Sequence, residues 1–174
     1  MKILFVIMMI VAAAAAVSAQ DPAVAQLKKT ELQKLDKMVG QWKGSGWIQQ
    51  GPKRDTFTGT ETVQSKVGGL ATMVEGKFAN PEGKVIHETL AVISYDEKLK
   101  VDRMSTYLAS GLSGEYDFRV VGDAYEWGFD IPNAGTVRYT IKIDATTWHE
   151  IGEFSRDGGK TWFQTFEMKL ERQK

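Results

Sequence analysis

From Trp42 to the C-terminus, apolar and polar residues alternate with a period of two, and short clusters of Gly, Asn, Asp and Pro interrupt the runs. A period of two places successive side chains on opposite faces of an extended chain, so these runs specify half-buried strands rather than helices. About ten strands are predicted, over 41–49, 57–67, 70–79, 84–94, 99–108, 113–121, 124–131, 136–143, 147–155 and 161–171. Gly68-Gly69, Asn80-Pro81-Glu82-Gly83, Gly122-Asp123 and Asn133-Ala134-Gly135 supply the positive φ angles that tight hairpins need. Gaps this short leave room only for an up-and-down antiparallel meander. With no covering helices, such a sheet closes on itself, because open edges invite aggregation. The expected fold is all-β: a single antiparallel up-and-down barrel over 41–174.

The segment before the barrel divides in two. Lys2 is followed by an unbroken apolar and alanine run from Ile3 to Val17, and then by the small residues Ser18 and Ala19. This is the layout of a signal peptide over 1–19 with cleavage after Ala19, and the run is shorter than the roughly 20 apolar residues of a membrane span. Residues 20–40 carry one helix, about Ala23 to Met38. Leu27, Leu32, Leu35 and Met38 form an approximate apolar stripe on it, and Gly40 marks its stop. A short helix of this kind suits a plug or lid on a larger body. Export to the periplasm or medium is the expected localisation, with no membrane span in the mature chain.

Composition removes several classes of function. Without residues 1–19, the chain holds 21 basic and 22 acidic residues, too even a balance to recruit nucleic acid or an anionic membrane. The absence of cysteine excludes disulfides, thiol catalysis and cysteine-ligated metals. The core must therefore hold by packing alone, and five Trp, five Tyr and the eight Phe of the full sequence, all but Phe5 beyond residue 19, provide the means.

Near the C-terminus, SRDGGKTW (Ser155–Trp162) matches the Asp-box spacing S-x-D-x-G-x-T-W, best known from sialidase-type propellers. A propeller repeats its blade, whereas this motif occurs once, so it is read as a hairpin. Asp157 accepts backbone N–H groups across the turn, and Gly158 and Gly159 provide left-handed geometry. The simplest register sets Ser155 opposite Thr161 and Phe154 opposite Trp162. Trp148, Glu150, Gly152, Phe154, Trp162, Gln164, Phe166, Met168 and Leu170 then share the inner face. Two polar residues, Glu150 and Gln164, stand in that aromatic wall. Tyr125, Trp127, Phe129 and Ile131 share a face, as do Val137, Tyr139, Ile141 and Ile143. Strand 84–94 is apolar on both faces, with His87, Ala91 and Ile93 opposite Ile86, Leu90 and Val92, which suggests cover from the N-terminal helix.

Catalytic patterns are sparse. A glycosidase needs two carboxylates flanking a sugar, and Glu150 with Glu75 or Glu88 is the available combination. His149-Glu150-Ile151-Gly152-Glu153 lacks the second His of H-E-x-x-H and lies on a strand. His87 and His149 are the only histidines, and the register turns them to opposite faces. No G-x-S-x-G elbow is present.

Gly40-Gln41-Trp42, opening the first strand after a short helix, resembles the G-x-W signature of lipocalins and their calycin relatives. The longer GQWKGSGWIQQGP is similar to the first strand of nitrobindin-type ten-stranded barrels. LDKMVGQWKGSG, GGLATMVEGKF, HETLAVISYD, WHEIGEFSRDGGKTW and FEMKLER resemble a bacterial family of unknown function, domain of unknown function 1579, assigned to the same barrel class. The resemblance implies a calycin-like barrel in which Trp42 seals the floor and Arg172 stacks on it. Nitrobindin-type barrels hold haem through a histidine on a late strand. His149 is the matching position, though the register turns it outward.

The expected function is a non-enzymatic exported barrel holding a small, mostly apolar molecule. Trp127, Tyr139 and Trp162 form the walls, Glu150 and Gln164 the polar contacts. Arg103, by alternation with Val101 and Tyr107, is the internal partner that keeps Glu150 ionised. The alternatives are a haem-binding barrel, a purely structural barrel with a filled core, and a hydrolase using Glu150.

Overall fold

The computed structural model describes residues 21–174, so the signal peptide expected over 1–19 lies outside the described residues. Ten strands follow one another as hairpins: β1 (Gly40–Gln50), β2 (Lys53–Lys66), β3 (Ala71–Ala79), β4 (Val85–Asp96), β5 (Val101–Leu108), β6 (Ser113–Val121), β7 (Ala124–Ile131), β8 (Gly135–Ile143), β9 (Thr147–Ser155) and β10 (Phe163–Arg172). Each pairs antiparallel with its neighbours in sequence, and β1 pairs with β10 to close the barrel. The turns use the expected chemistry, with positive φ at Gly68, Gly69, Gly83, Gly122 and Asn133. The all-β barrel read from the alternation is the observed fold.

Before the barrel, α1 (Pro22–Leu32) starts at Asp21, whose Oδ1 accepts the Ala23 N–H at 2.9 Å, with Pro22 preset for the first turn. The helix then tightens into a 3₁₀ segment over Gln33–Met38. With three residues per turn, side chains three apart lie in single file. Leu32, Leu35 and Met38 accordingly form one row, all buried in the core. Leu27, expected in the same stripe, belongs to the α-helical part and is exposed. The segment contacts β4, but it does not cover that strand's outer face: Ile86 and Leu90 are exposed.

Cross-strand pairing sorts the wall into faces. Trp42 pairs with Glu61, Glu61 with Gly76, and Gly76 with Thr89. Continuing round, Met104 pairs with Tyr116, Phe118 with Trp127, Trp127 with Tyr139 and Tyr139 with Gly152. At the end where α1 packs, the inward residues Trp42, Val63, Ile93, Phe118, Tyr125, Trp148 and Leu170 are all buried. At the other end, the inward residues Trp127, Phe129, Tyr139, Phe154 and Phe166 are only half-buried, and His87 is exposed. The barrel is therefore a cup, with a sealed floor at the helix end and a mouth at the other.

The Asp-box hairpin stands at the mouth. Asp157 accepts the backbone N–H groups of Lys160 and Thr161 at 3.0 and 2.9 Å and the Thr161 hydroxyl at 2.6 Å. Ser155 Oγ donates to Asp157 at 2.9 Å and accepts from Gly159 N–H at 2.8 Å. The Thr161 hydroxyl and backbone, with Ser155, hold the Asp157 carboxyl down to about 2. Gly158 has φ +71° and open space around its Cα, so its replacement tests the backbone alone. Gly158→Ala is expected to destabilise the fold by about 1 kcal/mol in urea titration, the penalty of a left-handed non-glycine residue.

Candidate functional site: the interior of the cup

The floor is built first, because it fixes the depth of everything above it. Trp42 is 0 % exposed, and its indole N–H donates to the Met38 carbonyl at 2.8 Å, tying β1 to the 3₁₀ segment. The Arg172 guanidinium lies 4.0 Å from the Trp42 ring centroid. Its nitrogens donate to the carbonyls of Val39, Lys37 and Ala145 at 2.6, 2.8 and 2.9 Å. Gly40 holds φ +146°, and a Cβ there would collide with the Arg172 guanidinium. Trp148 meets Trp42 edge-on at 5.7 Å. The cation of Arg172 is thus fully engaged at the base and does not reach into the cup.

Above this floor stand two buried carboxylates. Glu150, on β9, is 7 % exposed, and Trp148 Nε1 donates to it at 3.2 Å. Burial pushes its carboxyl up to about 7, although the indole N–H groups of Trp148 and Trp127 favour the charged form. Glu61, on β2, is equally buried, and its Oε2 has no hydrogen-bond partner. It occupies the space left by a missing side chain: a Cβ on Gly76 would lie 2.7 Å from Glu61 Oε1. Burial and then the Glu150 charge push the Glu61 carboxyl up to about 8. The two acids therefore feel one another inside a single low-dielectric space.

Aromatic rings enclose them. Trp127 and Tyr139 stack with centroids 4.3 Å apart and planes inclined by 10°. Phe166 stands edge-on to Tyr139 at 5.6 Å, and Tyr116 lies 5.5 Å from Trp127. Burial, with Glu150 and Tyr116 beside it, pushes the Tyr139 phenol up to about 12. Tyr116, Trp127, Tyr139 and Phe166 thus share the interior with Glu61 and Glu150 and with the inward hydroxyl-bearing residues Thr89 and Thr106.

Of the residues expected to meet here, the structure brings together Glu150, Trp127 and Tyr139 and separates Gln164, Trp162 and Arg103. The cause on β10 is a bulge between Gln164 and Phe166. Phe154 pairs with Phe163 instead of Trp162, a one-residue shift that turns the hairpin's last residues over. Phe166, Met168 and Leu170 keep the inward parity, but Gln164 is exposed. Trp162 goes outside, where the Arg138 guanidinium sits 4.1 Å from its ring and pairs with Glu153 at 2.7 Å. Arg103 also points outward, to Asp117 at 2.6 Å and Glu115 at 3.5 Å, because Met104 pairs inward with Ile93. β5 carries apolar residues on both parities, so alternation alone selected the wrong one. The outer groove of about 530 Å³ between Arg103, Asp117, Gly128, Arg138 and Trp162 is a surface feature.

The acids proposed as partners of Glu150 also change. Glu75 and Glu88 are exposed, and Glu88 faces Lys77 at 3.4 Å. The inner partner is Glu61, which sequence reasoning overlooked. Its signal was present: Phe57, Gly59, Glu61 and Val63 share a parity opposite Thr58, Thr60, Thr62 and Gln64. His149 lies on the outer wall and donates to Glu167 at 2.9 Å, so it does not reach the interior as a haem ligand. Among the described residues, no three His, Asp or Glu side chains gather as a metal centre. No described helix is long and apolar enough to cross a membrane.

A closed ten-stranded antiparallel barrel with a Trp–Arg floor and an aromatic interior fits the calycin-like class. Among solved structures, the chain is similar to the crystal structure of Rv2717c from M. tuberculosis. The two share 16 % identity at a TM-score of 0.61, over 82 % of this chain and 97 % of that one. At this identity the likeness concerns the fold. No family model matches the chain, so the resemblance to the family of unknown function rests on the quoted motifs, and no curated protein matches either.

Proposed function

We propose that this protein is an exported barrel that holds one small, mostly apolar molecule in its cup. The observation that carries the reading is Glu61, a buried carboxylate with an unpartnered oxygen, set among inward aromatic rings that solvent reaches from the mouth. A core selected only for packing gains stability by replacing such a group, since a buried acid without a partner is destabilising by several kcal/mol. The aromatic rings of the wall supply apolar contact, and the acids supply orientation, which is the usual division of labour in a ligand pocket. Export rests on the signal-like run over 1–19.

Native mass spectrometry of protein recovered from the periplasm or medium tests both parts. The expected result is a chain beginning at Gln20 that carries additional small-molecule mass. A clean apo mass, together with no thermal shift on adding haem, fatty acids or terpenoids, overturns the carrier reading. An uncleaved N-terminus overturns export.

A further inference from the structure

The inner wall is electrostatically one-sided. Glu61 and Glu150 lie at mid-depth, and Asp102 at the floor is buried with Oδ1 unpartnered. No Lys or Arg faces Glu61 or Glu150 among the inward positions of the described strands; Arg172 is spent on three carbonyls and the Trp42 ring, and Lys34 of the 3₁₀ segment, which lies close to Asp102, is paired with Glu31. The cations nearest in sequence or on the same sheet all lie elsewhere: Arg103, Arg138 and Lys77 each pair with acids on the outer surface. His87, at the mouth, is the remaining inward titratable base. The groups facing Glu150 are the indole N–H groups of Trp148 and Trp127, the phenol of Tyr139 and Glu61, none of them a positive charge.

Around these acids stand the rings of Trp127, Tyr139, Tyr116, Phe57 and Phe166. Aromatic faces attract cations through their quadrupole, most strongly when water is excluded. A carboxylate pair beneath aromatic walls therefore favours a positively charged guest and disfavours an anion.

Building on the proposal that the cup holds a ligand, we infer that this ligand is a cation: a small apolar or aromatic molecule bearing a protonated amine or quaternary ammonium. Its charged end lies between Glu61 and Glu150, and its apolar body lies against Trp127, Tyr139 and Phe166. In the empty cup the acids retain protons, so binding a cation releases protons to solvent and strengthens as the pH rises through the neutral range.

Three matched probes separate the cases by calorimetry at pH 8: 3-phenylpropylamine, 3-phenylpropan-1-ol and 3-phenylpropanoate. The amine is expected to bind at least about tenfold more tightly than the alcohol, as a charge-assisted pair is stronger than a neutral one. The carboxylate is expected not to bind. The amine should weaken at pH 5.5 and should release protons on binding, read as a dependence of the heat on buffer. Glu61→Gln and Glu150→Gln, singly and together, should remove the preference for the amine over the alcohol. Circular dichroism confirms that each variant is folded. The inference is overturned if the alcohol or carboxylate matches the amine, or if the preference survives in the double variant. Alcohol binding alone leaves the carrier reading standing without the cation. If no probe binds, the inference is again overturned, and the native mass measurement decides the carrier reading separately.

Discussion

Trp42→Ala is expected to lower the stability of the barrel by about 3–5 kcal/mol, the range for deleting a large aromatic from a packed core. Three losses coincide at this position. The ring is 0 % exposed, so its removal leaves a void beneath Leu35, Met38 and Leu170 that close packing cannot refill. The Met38 carbonyl loses the indole N–H that holds the 3₁₀ segment against β1. The Arg172 guanidinium loses the face on which it stacks at 4.0 Å. Trp42→Phe retains much of the volume and part of the stacking surface, and should forfeit about 1–2 kcal/mol through the hydrogen bond and the smaller ring. Urea denaturation followed by circular dichroism measures both variants. A loss below about 1 kcal/mol for the alanine variant would show that the floor does not depend on this residue.

The second large effect is a fall in stability of the ligand-free protein with rising pH, from about 5 to 8. Glu61, Glu150 and Asp102 are all shifted upward, to about 8, 7 and 6, each mainly by burial. An acid with a raised native pKa keeps its proton in the fold at pH values where the unfolded chain has released it. Its stabilising contribution is therefore complete below the unfolded value near 4 and is lost as the pH climbs toward the native value. The reverse holds for Asp157 and Glu167, both held down to about 2 by hydrogen bonds and, for Glu167, by Lys169. Stability from those two is lost as the pH falls below about 4. The stability profile should consequently peak on the acidic side of neutrality. Glu61→Gln should raise stability at pH 8 by on the order of 3 kcal/mol and flatten the alkaline limb, because an amide has no proton to lose. At pH 5 the same variant should differ little from the parent. A parent whose melting temperature is unchanged or rises between pH 5 and 8 would contradict the burial of these acids.

Much of the architecture was legible before any coordinates. The ten strands begin and end within a few residues of the segments read from the alternation. The single Asp box behaves as a mouth hairpin, with Asp157, Gly158 and Gly159 in structural roles. Trp127, Tyr139 and Glu150 face inward because their strands alternate cleanly. The site was less legible where one face did not dominate. On β5 both parities carry apolar residues, and Arg103 was assigned by the wrong neighbours. On β10 a single additional residue at Thr165 shifted the tip of the strand, carrying Gln164 and Trp162 outside. The missing partner of Glu150 was readable from Phe57 and Val63, but a glutamate in a strand reads as solvent-facing unless its parity is followed.

The sequence by itself determined the barrel, because side-chain periodicity and turn residues act locally and each hairpin can be read from its own few positions. It also determined that the interior would be aromatic, since ring-bearing residues recur on one parity of β7 and β9 and Tyr139 joins them from β8. Only the tertiary structure decided which acids share that interior. Glu61 and Glu150 stand 89 positions apart in the sequence, and closure of β1 on β10 places their strands on the wall of one cup. It decided likewise that Arg172 is consumed at the floor and Arg103 on the outer face. Charge compensation is a property of neighbours in space, and alternation along a single strand carries no record of them.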